Sequence, residues 1–110
     1  MIISRYLKEY NIDFIPQYKF DDCINKKPLP FDFYLPNNNI CIEFDGPGHF
    51  KPIQWHGISK TKAKDIYRIV RLHDKIKNEY CSKNNIRLIR IPYTDIKNVN
   101  GKLISYLLKN

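Results

Sequence analysis

Residues 31–46 set large apolar side chains against a second, more polar set at a period of two, and that pattern confines them to one local structure. Phe31-Asp32-Phe33-Tyr34-Leu35 is followed by Pro36-Asn37-Asn38-Asn39 and then by Ile40-Cys41-Ile42-Glu43-Phe44-Asp45-Gly46, which reads as a β-hairpin. With Leu35 facing Ile40, Phe33 pairs with Ile42 and Phe31 with Phe44, so all six apolar side chains share one face of the sheet. The same register sets Asp32 opposite Glu43 and puts Tyr34, Cys41 and Asp45 on that second face. Like charges opposed on adjacent strands destabilise a sheet unless a cation or a shared proton relieves them. Mg²⁺ or Mn²⁺ would do so for Asp32, Glu43 and Asp45, because such ions take carboxylate oxygens and keep several waters. The alternative is a solvated sheet face on which the three acids pair with Lys or Arg.

The remaining segments follow from period and punctuation. Ile2, Ile3, Tyr6, Leu7 and Tyr10 recur at helical spacing over 2–10. Residues 14–20 read as a strand, with Pro16 marking an edge or a bulge, and 21–30, carrying Pro28 and Pro30, as a loop. Residues 46–60, rich in Gly and Pro, predict a long loop with His49, Trp55 and His56. A long helix is predicted over 61–84, with Ile66, Ile69, Val70, His73, Ile76, Lys77 and Tyr80 on one stripe and Arg68, Arg71, Lys75 and Glu79 opposite. Residues 86–93 alternate as a strand ended by Pro92, and Thr94 or Asp95 caps a last helix whose apolar face is Ile96, Val99, Leu103, Ile104 and Leu107. A helix between strands 40–46 and 86–93 is a crossover, so those strands should lie parallel. The expected class is α/β in the α+β sense, with order αβββαβα and a mixed sheet flanked by helices.

At 110 residues the chain reads as one domain spanning 1–110, since two would each be too small to stabilise a core unaided. Lys+Arg 19 against Asp+Glu 11 gives a net charge of +8, which points to a polyanionic partner such as DNA. No apolar run is long enough for a membrane helix and the start lacks a signal-peptide pattern, so no membrane partner and an intracellular, soluble protein are expected. Cys23, Cys41 and Cys81 lack the spacing of a zinc site or a disulfide framework and read as reduced, buried thiols.

The long helix also bears on the carboxylates. At about 100° per residue Lys77 falls near the centre of the apolar stripe and Asp74 at its edge, so both would be carried towards the acidic sheet face. A lysine there either snorkels to the rim or meets a carboxylate or phosphate. His49, four residues after Asp45, is placed to exchange protons with water or with a leaving oxygen, or is a plain loop histidine. His73, on the stripe, reads as a satisfied core histidine. Lys51, Lys60, Lys62, Lys64, Arg68 and Arg71 are candidates for phosphate contact, the alternative being a solvated basic face.

Taken in order, Pro30-Phe31-Asp32-Phe33-Tyr34-Leu35, Ile42-Glu43-Phe44-Asp45-Gly46-Pro47-Gly48-His49-Phe50, His73-Asp74-Lys75-Ile76-Lys77-Asn78-Glu79-Tyr80-Cys81 and Leu88-Ile89-Arg90-Ile91-Pro92-Tyr93 resemble the very-short-patch-repair branch of the PD-(D/E)XK nucleases. Relatives of that kind occur in phages and large viruses and as domains of homing endonucleases. The resemblance implies a restriction-endonuclease-like core with a four-stranded sheet and Mg²⁺- or Mn²⁺-dependent hydrolysis of DNA phosphodiester bonds. It also implies a host cytoplasmic or nuclear setting if the chain is viral, and a homodimer where both strands are cut. It makes Asp32 and Glu43 metal ligands together with Asp45, which stands where many members carry the motif lysine. Lys77 would be a migrated replacement for that lysine, and His49 and Asp74 match the His and Asp of the E-D-x-H-D variant. That variant's acid in the first helix has only Glu9 to correspond to it. The rival readings are a catalytically silent DNA-binding module on the same scaffold and a subunit that docks on a protein partner.

Overall fold

The computed structural model describes residues 2–108, apart from the side chains of Ile96, Ile104, Leu107 and Leu108. The order is α1 (Ile2–Glu9), β1 (Ile15–Asn25), β2 (Lys27–Leu35), β3 (Ile40–Asp45), α2 (Lys60–Lys83), β4 (Arg87–Pro92) and α3 (Val99–Leu108), with 3₁₀ segments at Pro47–His49 and Tyr93–Asn98. It is an α+β fold with one mixed sheet in the order β1-β2-β3-β4, the first three strands antiparallel and β3 parallel to β4. Among the described residues no helix is long and apolar enough to cross a membrane.

Two helical layers sandwich the sheet. On one face Ile3 and Leu7 of α1 and Val99 and Leu103 of α3 close over Phe33, Leu35, Ile40, Ile42, Ile89 and Ile91. On the other face α2 brings Cys81 onto Cys23, Leu29, Phe31, Cys41 and Ile86. Ser59 caps α2, its hydroxyl accepting the Lys62 N–H at 3.1 Å, which satisfies one of the amides that the first turn leaves without a carbonyl.

The hairpin register is the one the alternation requires, with Leu35 against Ile40, Tyr34 against Cys41 and Phe33 against Ile42. It then breaks at Asp32. The Asp32 N–H donates to Glu43 Oε1 at 2.9 Å and the Phe44 N–H donates to Asp32 Oδ2 at 2.7 Å, so two carboxylates take amides that a continued ladder would have engaged. On the neighbouring β1, Gln17 is left-handed at φ 50°, between the pairs Pro16–Phe33 and Tyr18–Phe31. The outcome corrects the expected facial pattern. Phe31 leaves the face of Phe33 and Leu35 and packs beneath α2 with Cys41 and Cys81, while Asp32 lies beside Lys8, Phe14 and Gln17.

Three further expectations are corrected. Residues 21–30 are not a loop, because β1 runs on to Asn25 and turns at Lys26, whose φ is 65°. Pro28 and Pro30 are tolerated there because β3 pairs only with Phe33, Tyr34 and Leu35 of β2, so that stretch has one neighbour and a missing N–H leaves no second ladder short. The inner line of α2 is Ala63, Tyr67, Val70, Asp74, Lys77 and Cys81, while Ile66 and Ile69 are exposed. Neither Thr94 nor Asp95 caps α3, since a 3₁₀ segment intervenes and Asp95 instead accepts from Lys102 at 3.4 Å. Val99 and Leu103 are buried as expected, and the expectations for Ile96, Ile104 and Leu107 lie outside the described side chains.

Because Asp32 Oδ2 holds a strand amide, Asp32→Ala should destabilise the fold by about 1–3 kcal/mol, the usual penalty for orphaning a partly buried donor. Relief of carboxylate repulsion would have stabilised it. The sign of the shift in a urea midpoint, read with EDTA present, decides between the two.

Candidate active site

β3 ends in two acids that alternation sends to the α2 side, Glu43 and Asp45, which are 3% and 6% exposed. A carboxylate buried to that degree needs a cation or hydrogen-bond donors. Glu43 receives Lys77 Nζ on Oε2 at 3.1 Å and the Asp32 amide on Oε1. The Lys77 amine also lies 5.3 Å from the centre of the Phe31 ring, a favourable cation–π separation. Lys77 therefore neither snorkels outward nor stands unpaired. Burial pushes the Glu43 carboxyl above its ordinary range, Lys77 pulls it back, and the nearby Asp32 pushes it up again.

Asp45 belongs to a second group. Arg90 NH1 donates to Asp45 Oδ1 at 2.9 Å and to Oδ2 at 3.2 Å, and lies 3.5 Å from Asp74 Oδ1. Arg90 NH2 reaches the Asp74 carbonyl at 3.4 Å and Nε donates to Asn78 Oδ1 at 2.9 Å. His49, on the 3₁₀ turn that follows β3, donates from Nδ1 to Asp74 Oδ2 at 2.9 Å and stands 3.6 Å from Asp45 Oδ1. The Gly46-Pro47-Gly48 sequence makes that turn: the Gly46 carbonyl accepts the His49 N–H at 3.1 Å and Pro47 opens the 3₁₀ turn. His49 is thereby folded back against α2.

The six expected catalytic residues fall into two adjoining clusters. Asp32, Glu43 and Lys77 form one and Asp45, His49 and Asp74 the other. Among the described residues Asp45, His49 and Asp74 are the set of acid, His and Cys groups whose ligand atoms all lie within 4.8 Å of one another. Asp32 and Glu43 stand outside that set, so the expected trio Asp32, Glu43 and Asp45 does not meet as a single cage. Two carboxylates and an imidazole fit a hard or borderline divalent ion. Carboxylate oxygens suit Mg²⁺ and Mn²⁺ alike, and the His49 ring nitrogen would join them only once it no longer donates to Asp74.

Arg90 is the site residue that sequence reasoning missed. It sits opposite Glu43 in the parallel β3–β4 ladder, and Asp45 is opposite Pro92, so a parallel crossover combined with alternation would have sent Arg90 to the acidic face. The candidate phosphate contacts Lys51, Lys60, Lys62, Lys64, Arg68 and Arg71 are all exposed, five of them on α2, and Arg68 is paired with Asp65 at 3.1 Å. Arg68 and Arg71 line a shallow depression with Lys75 and Asn78 that runs to Asp74. His73 accepts the Asn25 amide at 2.9 Å, as a satisfied histidine should. Glu9 is exposed at the end of α1. The three cysteines are free and buried.

Comparison with known proteins adds one relative. The chain is 34% identical over 67 residues to a protein of Invertebrate iridescent virus 6 called Uncharacterized protein 307L. The match covers 60% of this chain and 32% of that protein, so the chain spans about a third of the relative's length. No family model matches the chain, and no solved structure matches it.

Removing the Lys77 cation leaves Glu43 buried without its counter-ion. Lys77→Met should therefore destabilise the protein by about 3–5 kcal/mol at neutral pH, and Glu43→Gln in the same chain should restore most of that loss. Denaturant midpoints of the two single variants and the double variant give the coupling. Equal destabilisation by Lys77→Met with and without Glu43→Gln would mean that the pair contributes nothing.

Proposed function

We propose that the chain is a divalent-metal-dependent endonuclease that hydrolyses phosphodiester bonds of DNA. The observation that carries this reading is the meeting of Asp45, His49 and Asp74 within 4.8 Å of one another. Beside it lies a buried Lys77–Glu43 pair, and the helix that covers both carries a lysine- and arginine-rich outer side. Asp45 and Asp74 would hold the metal, which supplies polarisation of the phosphate and acidification of a water. His49, held through Nδ1 by Asp74, keeps Nε2 to take the proton of the attacking water or to give one to the leaving oxygen as the P–O bond to it breaks. Lys77 supplies positive charge beside the developing charge of the phosphate, with Glu43 fixing its amine. Lys60, Lys62, Lys64 and Arg71 hold the backbone on either side without reading its sequence. The likeness of the ordered motifs to the very-short-patch-repair branch supports the same reading, and a homodimer would bring two such sites to opposite strands.

A second reading has its own support. Each buried acid already has a cation, Lys77 for Glu43 and Arg90 for Asp45 and Asp74, and among the described residues no buried side-chain nitrogen or oxygen lacks a hydrogen-bond partner. Such a closed network suits a catalytically silent module that binds DNA by charge alone.

Supercoiled plasmid separates the two. The nuclease should produce nicked or linear DNA with Mg²⁺ or Mn²⁺ and none with EDTA, and Asp45→Asn or Asp74→Asn should lower the rate by about 10²-fold or more, as loss of one electrostatic group does. Product formation that ignores the metal, or survives both substitutions, overturns the assignment. Under either reading duplex affinity should fall steeply with salt, log K against log salt having a slope near −0.9 for each phosphate neutralised. A fluorescence-anisotropy titration at several salt concentrations measures it, and a flat response would favour docking on a protein partner.

A further inference from the structure

We infer that Arg90 is a resident counter-cation, occupying the electrostatic position that a divalent ion would take between Asp45 and Asp74 and setting how tightly that ion binds; this rests on the metal-site reading above. All three guanidinium nitrogens are engaged there. NH1 contacts both oxygens of Asp45 and faces Asp74 Oδ1, NH2 reaches the Asp74 carbonyl, and Nε is held by Asn78. The side chain is 21% exposed, against 9% and 13% for its two carboxylate partners, so solvent screens the group only in part.

An arginine cannot relieve the crowding by losing its proton, so its charge is permanent. With it, the two carboxylates and one guanidinium sum to −1, and without it the pair stands at −2. A divalent ion seated on Asp45 Oδ1 competes with NH1, which engages one of that oxygen's two lone pairs at 2.9 Å. It must also sit within a few ångströms of a like charge, at which range repulsion is strong inside a protein. Arg90 thus holds Asp45 and Asp74 together in the metal-free protein and weakens their hold on a metal. It acts through these two residues, as a positioning residue. Charge and fork can be told apart, since a lysine at 90 keeps the first and loses the second.

The test is Mn²⁺ binding by the intact chain without nucleic acid, read from the electron paramagnetic resonance of free Mn²⁺ at fixed pH and low salt. Arg90→Gln should bind Mn²⁺ about tenfold or more tightly than the unaltered chain, Arg90→Lys should stay within about threefold of it, and Asp45→Asn added to Arg90→Gln should erase the gain. A thermal melt with EDTA and with Mn²⁺ accompanies each titration, and the metal-dependent rise in Tm should be larger for Arg90→Gln than for the unaltered chain. Should Arg90→Gln fail to fold without metal, its folding as a function of added Mn²⁺ replaces the titration: Mn²⁺ should restore the fold, and failure to restore it overturns the role. Arg90→Gln binding no more tightly than the unaltered chain, or Arg90→Lys matching Arg90→Gln, overturns the counter-cation role while leaving the metal site standing. Absence of Mn²⁺ binding in every variant overturns the metal site and this inference with it.

Discussion

Carboxylates buried at the end of a central strand must be met by cations, and most of what is particular to this fold follows from that requirement. Glu43 and Asp45 are sent under α2 by the pleat of β3, where solvation is lost and charge must be balanced locally. One cation comes from the covering helix, as Lys77, and one from the adjacent parallel strand, as Arg90. The helix orients accordingly. Its inner line carries a charged acid and a charged base while two isoleucines stay in solvent, which apolar burial alone would not select. Ala63 and Cys81, both small, are the other buried residues of that line.

The two clusters differ in the work their partners can do. Glu43 is engaged on both oxygens, by a lysine on one side and a strand amide on the other, and Asp32 binds the next amide in return. That arrangement ties β2 to β3 where their ladder ends, so one pair of acids serves as local scaffolding. Asp45 and Asp74 are instead held by an arginine and a histidine on a short turn, with the imidazole a quarter exposed. A group that must meet a substrate belongs at such a margin, and groups that keep its geometry belong behind it.

Much of this was legible in the sequence, and the rest failed for identifiable reasons. A period of two over 31–46 fixed the register of Leu35, Tyr34 and Phe33 against Ile40, Cys41 and Ile42, and the helical crossover fixed the parallel pairing of β3 with β4. The oddity of a lysine on an inward stripe identified Lys77. Alternation assumes unbroken pairing, so it could not foresee that side-chain carboxylates would end the ladder and turn Phe31 to the other face. Prolines at 28 and 30 read as loop because the rule against them applies to a strand paired on both sides, and there β2 has one neighbour. The α2 stripe was misjudged by its exposed isoleucines because hydrophobic period counts apolar residues, whereas here ion pairs decided the inward line. Arg90 was passed over because its role depends on a partner strand more than forty residues away in the chain.

The sulfur atoms beneath α2 bear on how that layer can be watched. Cys23, Cys41 and Cys81 share one buried cluster between the helix and the sheet, at 1%, 0% and 2% exposure. Burial pushes the Cys23 thiol up to about 11 and the Cys81 contact together with burial raises Cys41, whereas the Cys41 contact lowers Cys81, so what shields all three alike is their burial. An alkylating reagent reaches them through molecules whose helix has lifted from the sheet. The interface that seats Lys77 and Asp74 therefore carries its own stopwatch: the pace of thiol labelling counts how often that roof opens, without any probe having to be introduced.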